Sequence, residues 1–262
     1  MDYFEGKTAL ITGSARGIGF ATARELGKRG AKIVLSDVVE DILEESRKCL
    51  SDEGIEVIAK RADVTVPEDC GELVKAAVDG FGKLDILVNN AGVSIVSLLE
   101  DVTFETAKKL IDVNVMGCVN MTIAGIPALK ESKGQVIFVS SVSGIRSIPT
   151  GSLYGASKAF LRSFAESIRL ELKPYGVHVG VISPGFTTTD TSKTVMCGDG
   201  SARPIDRPPH DTPEGCAKEI AKLVEGRERE RVTTPMGKAT VVIQRLSPTF
   251  LDWYLYGREF KN

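Results

Sequence analysis

Short apolar runs alternate with longer amphipathic stretches along the whole of this 262-residue chain. The runs lie at residues 8–11, 32–35, 57–59, 84–88, 136–139, 177–182 and 231–233. The stretches between them have helical periodicity, at residues 17–29, 39–52, 67–80, 104–130, 153–173 and 213–225. Repeated strand–helix units of this kind form a parallel sheet with helices on both faces. The alternation therefore predicts an α/β fold with a doubly wound parallel sheet of about seven strands.

No linker rich in proline, glycine or serine divides the chain, and a hydrophobic content of 42% suffices for one large core. We predict a single domain in which residues 1–234 form the sheet unit. Residues 235–262 form an apolar and aromatic extension, with Ser247 and Pro248 at the start of a final short helix. Three roles stay open for the extension: packing on the core or in a dimer, lying on a membrane surface, or walling an apolar substrate pocket.

The composition excludes several classes of function. With 33 basic and 35 acidic residues, the net charge of −2 attracts neither nucleic acid nor an anionic membrane over a long range. Five scattered cysteines and two histidines do not have the spacing of a disulfide framework or a metal site. No run reaches the roughly 18 apolar residues of a membrane span, and no secretory signal is evident. We therefore predict a cytoplasmic protein without a metal, a membrane span or a nucleic-acid partner.

A glycine-rich turn follows the first apolar run and leads into the first predicted helix. Glycines at this point let the backbone approach a pyrophosphate, whose charge meets the positive end of the helix. The spacing Gly-x-x-x-Gly-x-Gly differs from the better-known dinucleotide fingerprint, but the strand before it and the helix after it are the required context. The turn predicts a Rossmann-like dinucleotide site that includes Gly13, Ser14, Arg16, Gly17, Ile18 and Gly19.

Two charged residues bear on which dinucleotide would bind. Asp37 ends the second strand, eighteen residues past Gly19, where a carboxylate accepts hydrogen bonds from a ribose 2′-hydroxyl and repels a 2′-phosphate. Arg16 in the glycine turn favours the opposite choice, because a guanidinium can hold that phosphate. We expect the cofactor to be NAD rather than NADP, since Arg16 could simply face solvent.

Tyr154 and Lys158 are four residues apart in a predicted helix, and Ser141 precedes the tyrosine by thirteen residues. Positions four apart share one helix face, so the Lys158 ammonium can lie beneath the phenol and favour its ionised form. Such a phenol can both give and take a proton. Ser141, just after the apolar run 136–139, can donate a hydrogen bond to the same substrate oxygen. The three residues predict chemistry that interconverts a carbonyl and an alcohol.

These motifs occur in one chain and in a fixed order. The glycine turn is followed by Asn89-Asn90-Ala91-Gly92, by Ser141 and by Tyr154-Gly155-Ala156-Ser157-Lys158. The sequence also contains Asp63-Val64, Asn114 and Pro184-Gly185 at matching places. Over residues 6 to about 234, the chain therefore resembles the short-chain dehydrogenase/reductase family.

The resemblance implies a role for each matching residue. Tyr154 would be the acid/base, Lys158 would bind the nicotinamide ribose and acidify the tyrosine, and Ser141 would hold the carbonyl oxygen. Asn114 would fix a water molecule that links Lys158 to solvent. The remaining cofactor contacts implied are Asp63 and Val64 at the adenine, Asn90, Ala91 and Gly92 at the ribose and strand packing, and Pro184, Gly185, Thr187 and Thr189 at the nicotinamide.

The leading hypothesis is an NAD(H)-dependent oxidoreductase that interconverts a secondary alcohol and a ketone on a mainly apolar small molecule, steroid-like or acyl-type. The alternatives are an NADP(H)-dependent ketone reductase, a non-catalytic cofactor-binding sensor, and an epimerase or dehydratase that stores hydride transiently. Residues 190–211, rich in glycine and proline, are interpreted as a mobile loop over the site. We expect a homodimer or homotetramer, and peripheral membrane contact of the extension stays open.

Overall fold

The computed structural model describes residues 2–187, 194–204, 209 and 211–260. Its strands are β1 (Thr8–Thr12), β2 (Lys32–Asp37), β3 (Val57–Arg61), β4 (Ile86–Asn89), β5 (Gln135–Val139), β6 (His178–Ser183), β7 (Thr194–Met196), β8 (Ala202–Pro204) and β9 (Glu230–Val232). Its α-helices are α1 (Gly17–Lys28), α2 (Glu40–Asp52), α3 (Pro67–Phe81), α4 (Phe104–Ile111), α5 (Gly117–Ser132), α6 (Ser152–Leu172), α7 (Pro213–Glu225), α8 (Pro235–Leu246) and α9 (Pro248–Phe260).

Seven strands form one sheet in the order β3-β2-β1-β4-β5-β6-β9, and every neighbouring pair is parallel. All seven strands predicted from the apolar runs lie in this sheet, which confirms the predicted fold class. In the sheet, β1 lies between β2 and β4, so the chain changes direction at this point. The crevice outside the carboxyl ends of the strands at such a switch point is the usual ligand site of this architecture.

The sheet is buried on both faces, which explains why its strands are continuous apolar runs rather than alternating ones. All residues of β1, β4 and β5 are buried. On one face, residues such as Leu26 of α1 and Ile220 of α7 pack on the sheet, and on the other face Leu73 of α3 and Leu161 of α6 do so. The helices therefore hold the strand ends in fixed positions around the crevice.

The predicted helix at 104–130 is one continuous helical segment that is not α-helical throughout. Residues Asp112–Met116 form a wide π-helical turn between α4 and α5. Such turns occur often at functional sites, because they redirect side chains relative to a regular helix. Asn114, one of the predicted site residues, lies in the middle of this turn and is completely buried.

The same segment, Phe104–Ser132, is long and apolar enough to cross a membrane, by length and composition alone. No membrane span was predicted here, because polar and charged residues interrupt the apolar ones and leave no long uninterrupted run. Of the most apolar window in this helix, 39% is buried inside the structure. Core helices of soluble domains also meet this criterion, so the observation is weak support for a membrane span.

The proline- and glycine-rich segment contains regular structure that the sequence did not indicate. Within residues 194–204, β7 and β8 form an antiparallel hairpin. Met196 in this hairpin exchanges backbone hydrogen bonds with the segment after β4: its amide donates to the Ser94 carbonyl, and its carbonyl accepts from the Val96 amide, both at 3.0 Å. This part of the predicted mobile loop is therefore tied to the segment that leaves the sheet at β4.

The C-terminal extension consists of α8 and α9, whereas the sequence predicted only a short helix beginning at Pro248. The side chain of Thr234 caps α8 by accepting a hydrogen bond from the Gly237 amide at 3.1 Å. A side chain at Gly237 would begin 2.7 Å from both Val142 and Val232, so α8 is closely packed on the segment that follows β5. The division of the chain at residue 234 stays a prediction.

Candidate active site

The glycine turn between β1 and α1 has the backbone shape that only glycine adopts easily. Gly13 and Gly17 both have a φ of +60°. A Cβ atom at Gly13 would lie 2.8 Å from the Cα atom of Ala91, so the turn touches the segment after β4. Around Gly17 nothing lies within 4 Å of the position that a Cβ atom would take. The turn is closed against β4 and open on its other side.

Asn90 and Thr12 fasten the two sides of this crevice together. The amide nitrogen of the Asn90 side chain donates to the carbonyls of Thr12 (2.9 Å) and Gly13 (2.8 Å). The Thr12 hydroxyl accepts from the backbone amides of Asn90 (3.1 Å) and Ala91 (3.0 Å). Thr12 is a site residue that the sequence analysis missed, although its position immediately before Gly13 was a usable signal.

Ser14 has a structural part in the turn. Its hydroxyl donates to the Ile11 carbonyl (2.8 Å) and accepts from the Ser36 amide (2.9 Å), while its own amide donates to the Ser36 carbonyl (2.9 Å). These groups are buried and engaged with β1 and β2. Ser14 therefore shapes the predicted phosphate turn without offering a free donor, and Ile18 is half-buried against the core beside α1.

Asp37 lies at the end of β2 and reaches back to the glycine turn. Its Oδ2 accepts a hydrogen bond from the Ala15 amide (3.2 Å), and its Oδ1 accepts from the Val38 amide (2.8 Å). The carboxylate is thus fixed beside the turn, and its contact with an adenosine ribose stays a prediction. Arg16 is exposed at the N-cap of α1, and no side chain caps this helix. The first-turn amides of α1 therefore remain available to an anion.

Asp63 and Val64 follow β3 at the same edge of the sheet. The Asp63 carboxylate accepts from the amide (2.9 Å) and the hydroxyl (2.8 Å) of Thr65, so its Oδ1 atom is engaged locally. Val64 is buried against Gly117, where an added Cβ atom would lie 2.5 Å from a Val64 methyl group. Val64 therefore packs on α5, whereas Asp63 is half-buried and stays partly accessible.

Lys158 and Tyr154 share one face of α6, as their spacing predicted. The ammonium of Lys158 lies 5.9 Å from the centre of the Tyr154 ring and donates to the Val139 carbonyl at 2.9 Å. Its side chain is buried, with 5% of the residue exposed, whereas Tyr154 is half-buried. The lysine is therefore oriented by the end of β5, a contact that the sequence did not reveal.

Asn114 connects the wide turn to both sides of the site. Its Oδ1 atom accepts from the Val93 amide (2.8 Å), and its Nδ2 atom donates to the Val93 carbonyl (2.9 Å) and to the Ser157 hydroxyl (3.1 Å). A Cβ atom at Gly92 would lie 3.2 Å from Asn114 Oδ1 and 3.3 Å from Lys158 Nζ. The absence of a side chain at Gly92 thus leaves a small space that both groups face.

Ser140 and Gly144 hold the loop that carries Ser141 against α6. The Ser140 hydroxyl donates to the Lys158 carbonyl at 2.7 Å, and an added Cβ atom at Gly144 would lie 2.7 Å from the Lys158 backbone. The loop therefore packs tightly on α6 beside Lys158. Ser141 stays half-exposed, and its hydroxyl accepts from the Ser143 amide at 3.1 Å. The neighbouring Ser140 is a weaker candidate for binding substrate, because its hydroxyl is bound to the Lys158 carbonyl.

The segment after β6 completes the edge of the crevice. The Pro184 carbonyl accepts from the Val142 amide at 2.9 Å, which joins this segment to the loop that carries Ser141. The Thr187 hydroxyl donates to the Gly185 carbonyl at 3.1 Å, and Gly185 is closely packed on Thr234. Thr189, another predicted nicotinamide contact, lies outside the described residues.

Cys118 lies near Lys158 but is unsuited to nucleophilic chemistry. Burial raises the pKa of its thiol to about 11, although the charge of Lys158 acts in the opposite direction. The thiol is therefore neutral near pH 7, and thiolate rather than thiol is the reactive form. The hydroxyls of Tyr154 and Ser141 are better suited to moving a proton or holding an oxyanion.

Comparison with known proteins agrees with this arrangement. A family model described as short chain dehydrogenase matches residues 7–198. The 11-beta-hydroxysteroid dehydrogenase 1A of Arabidopsis thaliana is 34% identical, over 95% of this chain and 74% of its own length. The matched segment spans every predicted site residue.

Solved structures of similar proteins have the same fold. A short chain dehydrogenase/reductase from Burkholderia phymatum in complex with NAD matches with a TM-score of 0.84 and 26% identity, over 96% of this chain and 97% of its own. An alcohol dehydrogenase from the archaeon Thermococcus sibiricus, complexed with 5-hydroxy-NADP, matches with a TM-score of 0.75 and 28% identity, over 86% and 95%. The two neighbours thus differ in the nucleotide they hold.

Proposed function

This chain belongs to the short-chain dehydrogenase/reductase family of oxidoreductases acting on CH–OH groups, and we propose that it is an NAD(H)-dependent member interconverting a secondary alcohol and a ketone. The observation that carries the proposal is the buried ammonium of Lys158. Among the described residues, the Val139 carbonyl is its one hydrogen-bond acceptor. A buried charge with so few partners is costly unless a bound ligand completes its surroundings.

The residues around the crevice fit a dinucleotide. The open space beside Gly17 and the uncapped amides of α1 suit a pyrophosphate, and the carboxylate of Asp37 suits the two hydroxyls of an adenosine ribose. Lys158 carries three N–H donors, of which Val139 engages one, so two remain for the hydroxyls of a second ribose. A side chain at Gly92 would crowd the ammonium, so the glycine keeps these donors accessible.

When bound, the nicotinamide supplies the hydride acceptor or donor. In the direction of reduction, the Tyr154 hydroxyl gives its proton to the substrate oxygen, and Ser141 donates a hydrogen bond to the charge that develops there. The nearby ammonium of Lys158 stabilises the tyrosinate that remains. In the direction of oxidation, the tyrosinate takes the alcohol proton.

The proposed substrate is mainly apolar, as a steroid or an acyl compound is. A cavity of about 480 Å³ lies between α9 and the loop that leads from Ser141 to α6, and its wall combines apolar side chains with the ion pair of Arg146 and Asp252. Pro149 comes from the loop, and Trp253 and Leu255 come from α9. The relative named as a hydroxysteroid dehydrogenase supports the same class of substrate. Of the roles left open for the extension, we favour the wall of this pocket.

The test is a screen of secondary alcohols, steroids and hydroxyacyl compounds, each with NAD⁺ and with NADP⁺, followed by the absorbance of the reduced nicotinamide. Tyr154→Phe should remove most turnover and leave cofactor affinity nearly intact, because it deletes only the proton-transferring hydroxyl. Tyr175→Phe is the matched control, since it deletes the same group from an exposed tyrosine. Turnover that survives Tyr154→Phe would disprove the acid/base assignment. Net consumption of cofactor would distinguish a dehydrogenase from an epimerase or dehydratase.

The choice of NAD over NADP rests on Asp37. Asp37→Ala should narrow the preference for NAD by about 10- to 100-fold, since a hydrogen bond to a charged group contributes about 1.5–3 kcal/mol. Asp41→Ala removes the same charge from the exposed first turn of α2 and should leave the ratio unchanged. An unchanged ratio in Asp37→Ala would show that another group sets the preference.

One observation favours an NADP(H)-dependent reductase as the second candidate. The Arg16 side chain is exposed beside the crevice and forms no hydrogen bond or ion pair within the described part of the chain. A guanidinium there can bind a 2′-phosphate. If the protein is an NADP(H)-dependent reductase, Arg16→Ala should reduce the affinity for NADP and leave that for NAD unchanged. If it depends on NAD, the affinity for either nucleotide should change little.

The assembly that we propose is a cytoplasmic homodimer or homotetramer. Large apolar side chains of three helices are exposed in the monomer, namely Phe104 of α4, Ile123 of α5 and Leu170 of α6. Large apolar side chains that are exposed in a monomer often lie in an interface. Analytical ultracentrifugation of the full chain tests the assembly, and a monomer at micromolar concentration would contradict it.

A further inference from the structure

A second cavity, of about 250 Å³, lies between α6, the edge strand β9 and the last turn of α8. It shares no residue with the candidate active site. The charged residues that line it are Arg162, Glu166, Arg169, Arg229, Glu230 and Arg245. Four guanidinium groups thus face two carboxylates, and the walls carry an excess of positive charge.

Three separate elements bring these side chains together. Arg162, Glu166 and Arg169 follow one another at helical spacing, so they share one face of α6. Arg229 and Glu230 stand at the start of β9, which pairs with β6 and forms an edge of the sheet. Arg245 comes from the last turn of α8. The cluster therefore exists only in the folded chain.

Contacts within the protein neutralise part of this charge. The Arg162 guanidinium forms a two-pronged ion pair with Glu230, in which Nη2 lies 3.1 Å from Oε2. Arg169 donates from Nε to the Val179 carbonyl at 2.9 Å and from Nη2 to the Arg229 carbonyl at 3.4 Å. These bonds engage two of its five N–H donors. Both acceptors are neutral carbonyls, so Arg169 forms no ion pair within the described residues, and Glu166 and Glu230 act on its charge from a distance.

The remaining guanidinium groups have even fewer contacts. Within the ranges that the structure describes, neither Arg229 nor Arg245 has a hydrogen bond or ion pair through its side chain. Burial lowers the pKa of Arg169 and the charge of Arg229 lowers it further, whereas the charges of Glu166 and Glu230 act in the opposite direction. Three guanidinium groups around one small cavity are thus held together without a matching set of carboxylates, because Glu166 is the one further acid in the walls.

We propose that this cavity binds the phosphate group of a small molecule, a phosphate monoester dianion, through Arg169, Arg229 and Arg245. Planar guanidinium groups match phosphate oxygens with paired hydrogen bonds, and a dianion neutralises the excess charge of the walls. A water molecule occupies about 30 Å³ in the liquid, so a cavity of about 250 Å³ has the volume of roughly eight water molecules. That is room for a phosphate together with part of the group that carries it. The bound anion joins α8 to α6 and β9.

The test is isothermal titration calorimetry of the full chain with inorganic phosphate, at an ionic strength held constant with sodium chloride. The variant Arg229→Gln/Arg245→Gln should bind phosphate at least about tenfold more weakly, because it removes two charge-assisted hydrogen-bond donors. The matched control is Lys218→Gln/Lys238→Gln, which removes two exposed positive charges from α7 and α8 outside the cavity. The control should keep the affinity of the unaltered protein.

Two results would overturn the proposal. One is the absence of phosphate binding in the unaltered chain. The other is equal affinity in all three proteins, which would place the phosphate elsewhere, for example at the glycine turn. Arg229 and Arg245 are exposed, so both variants should unfold at the same temperature as the unaltered chain when phosphate is absent.

A phosphate monoester can come from a soluble metabolite or from a lipid headgroup. Glycerol phosphate in solution and phosphatidylcholine vesicles containing phosphatidic acid distinguish these sources. Binding of either probe that is lost in Arg229→Gln/Arg245→Gln supports the proposal and identifies the source. Binding of neither would contradict it, even if inorganic phosphate alone binds.

Discussion

Asn114→Ala is expected to weaken the whole fold as well as the site. The Asn114 side chain is completely buried and forms three hydrogen bonds, two with the backbone of Val93 and one with the Ser157 hydroxyl. Each such bond contributes about 0.5–1.5 kcal/mol net, and alanine replaces none of them. The free energy of unfolding should therefore fall by about 2–4 kcal/mol. For a chain of this size, that corresponds to a melting temperature lower by about 5–15 °C.

Urea unfolding followed by circular dichroism measures this loss directly, with an unchanged m value as the sign that the unfolded state is the same. Asn120→Ala is the matched control. The Asn120 side chain donates to the carbonyls of Val64 (3.1 Å) and Thr65 (3.4 Å) and is half-buried. It makes two bonds from one nitrogen atom, one of them long, and water can replace them, so its removal should lower the free energy of unfolding by about 1–2 kcal/mol.

The reasoning is wrong if Asn114→Ala loses less than about 1 kcal/mol, or no more than Asn120→Ala does. Either result would show that the wide turn keeps its shape without the contact to Val93. Asn114 would then have no structural role, and a fall in turnover would have to come from the site chemistry alone.

Three further predictions concern the glycine turn, a buried histidine and the extension. Gly13→Ala should lower the free energy of unfolding, measured in urea, by about 2–5 kcal/mol, because the φ of Gly13 is +60° and its Cβ atom would lie 2.8 Å from the Ala91 backbone. Gly17 has the same φ but open space around it, so Gly17→Ala should lose only the smaller part that comes from the backbone conformation. Burial lowers the pKa of His178 from its ordinary 6.5, so the unfolded state takes up a proton first as the pH falls. The free energy of unfolding should therefore decrease below about pH 6.5 until the lower, folded-state pKa is passed, and His178→Gln should flatten this slope between about pH 7.5 and 5.5. An equal slope in both proteins would contradict it. Arg146→Gln breaks the ion pair with Asp252 that joins the loop after Ser141 to α9. It should raise KM for apolar substrates several-fold and change kcat and stability little. The control Arg47→Gln breaks an exposed ion pair within α2 and should leave KM unchanged.

The sheet was predictable because burial on both faces leaves a simple signal. β5, for example, is buried at every residue, and its sequence is almost wholly apolar. The helix α7 was equally clear: Thr212 caps it by accepting from the Gly215 amide at 3.0 Å, and Pro213 is its first residue. Both signals are local, so the sequence carries them without knowledge of the tertiary fold.

Other elements escaped prediction. α8 begins with the same signal as α7, because Thr234 caps it and Pro235 is its first residue, but Gly237 is its one buried residue, so the core does not specify this helix. The three residues of β8 are all exposed, and β8 exists through its pairing with β7. The wide turn at 112–116 leaves the spacing of apolar residues on either side almost unchanged, so the sequence predicts a regular helix there.

The candidate site shows the same division between local and tertiary information. The shared face of Tyr154 and Lys158 follows from helix geometry and was predictable. That the Val139 carbonyl orients Lys158, and that Ser140 fixes the loop of Ser141, depends on how β5 packs against α6. Ser14 illustrates the opposite case: its place in the glycine turn suggested a ligand contact, but tertiary hydrogen bonds to β2 engage it.

The wide turn between α4 and α5 should make this stretch intolerant of a change in length. A π-helical turn corresponds to an α-helix that has accepted one inserted residue. Deleting a residue from 112–116 would let the segment wind regularly, and each residue of an α-helix turns the chain by about 100°. Either Leu110 before the deletion or Met121 after it would then rotate away from the core in which both are now buried. Point substitutions on the outer side of the segment should be tolerated, whereas a single-codon deletion should not.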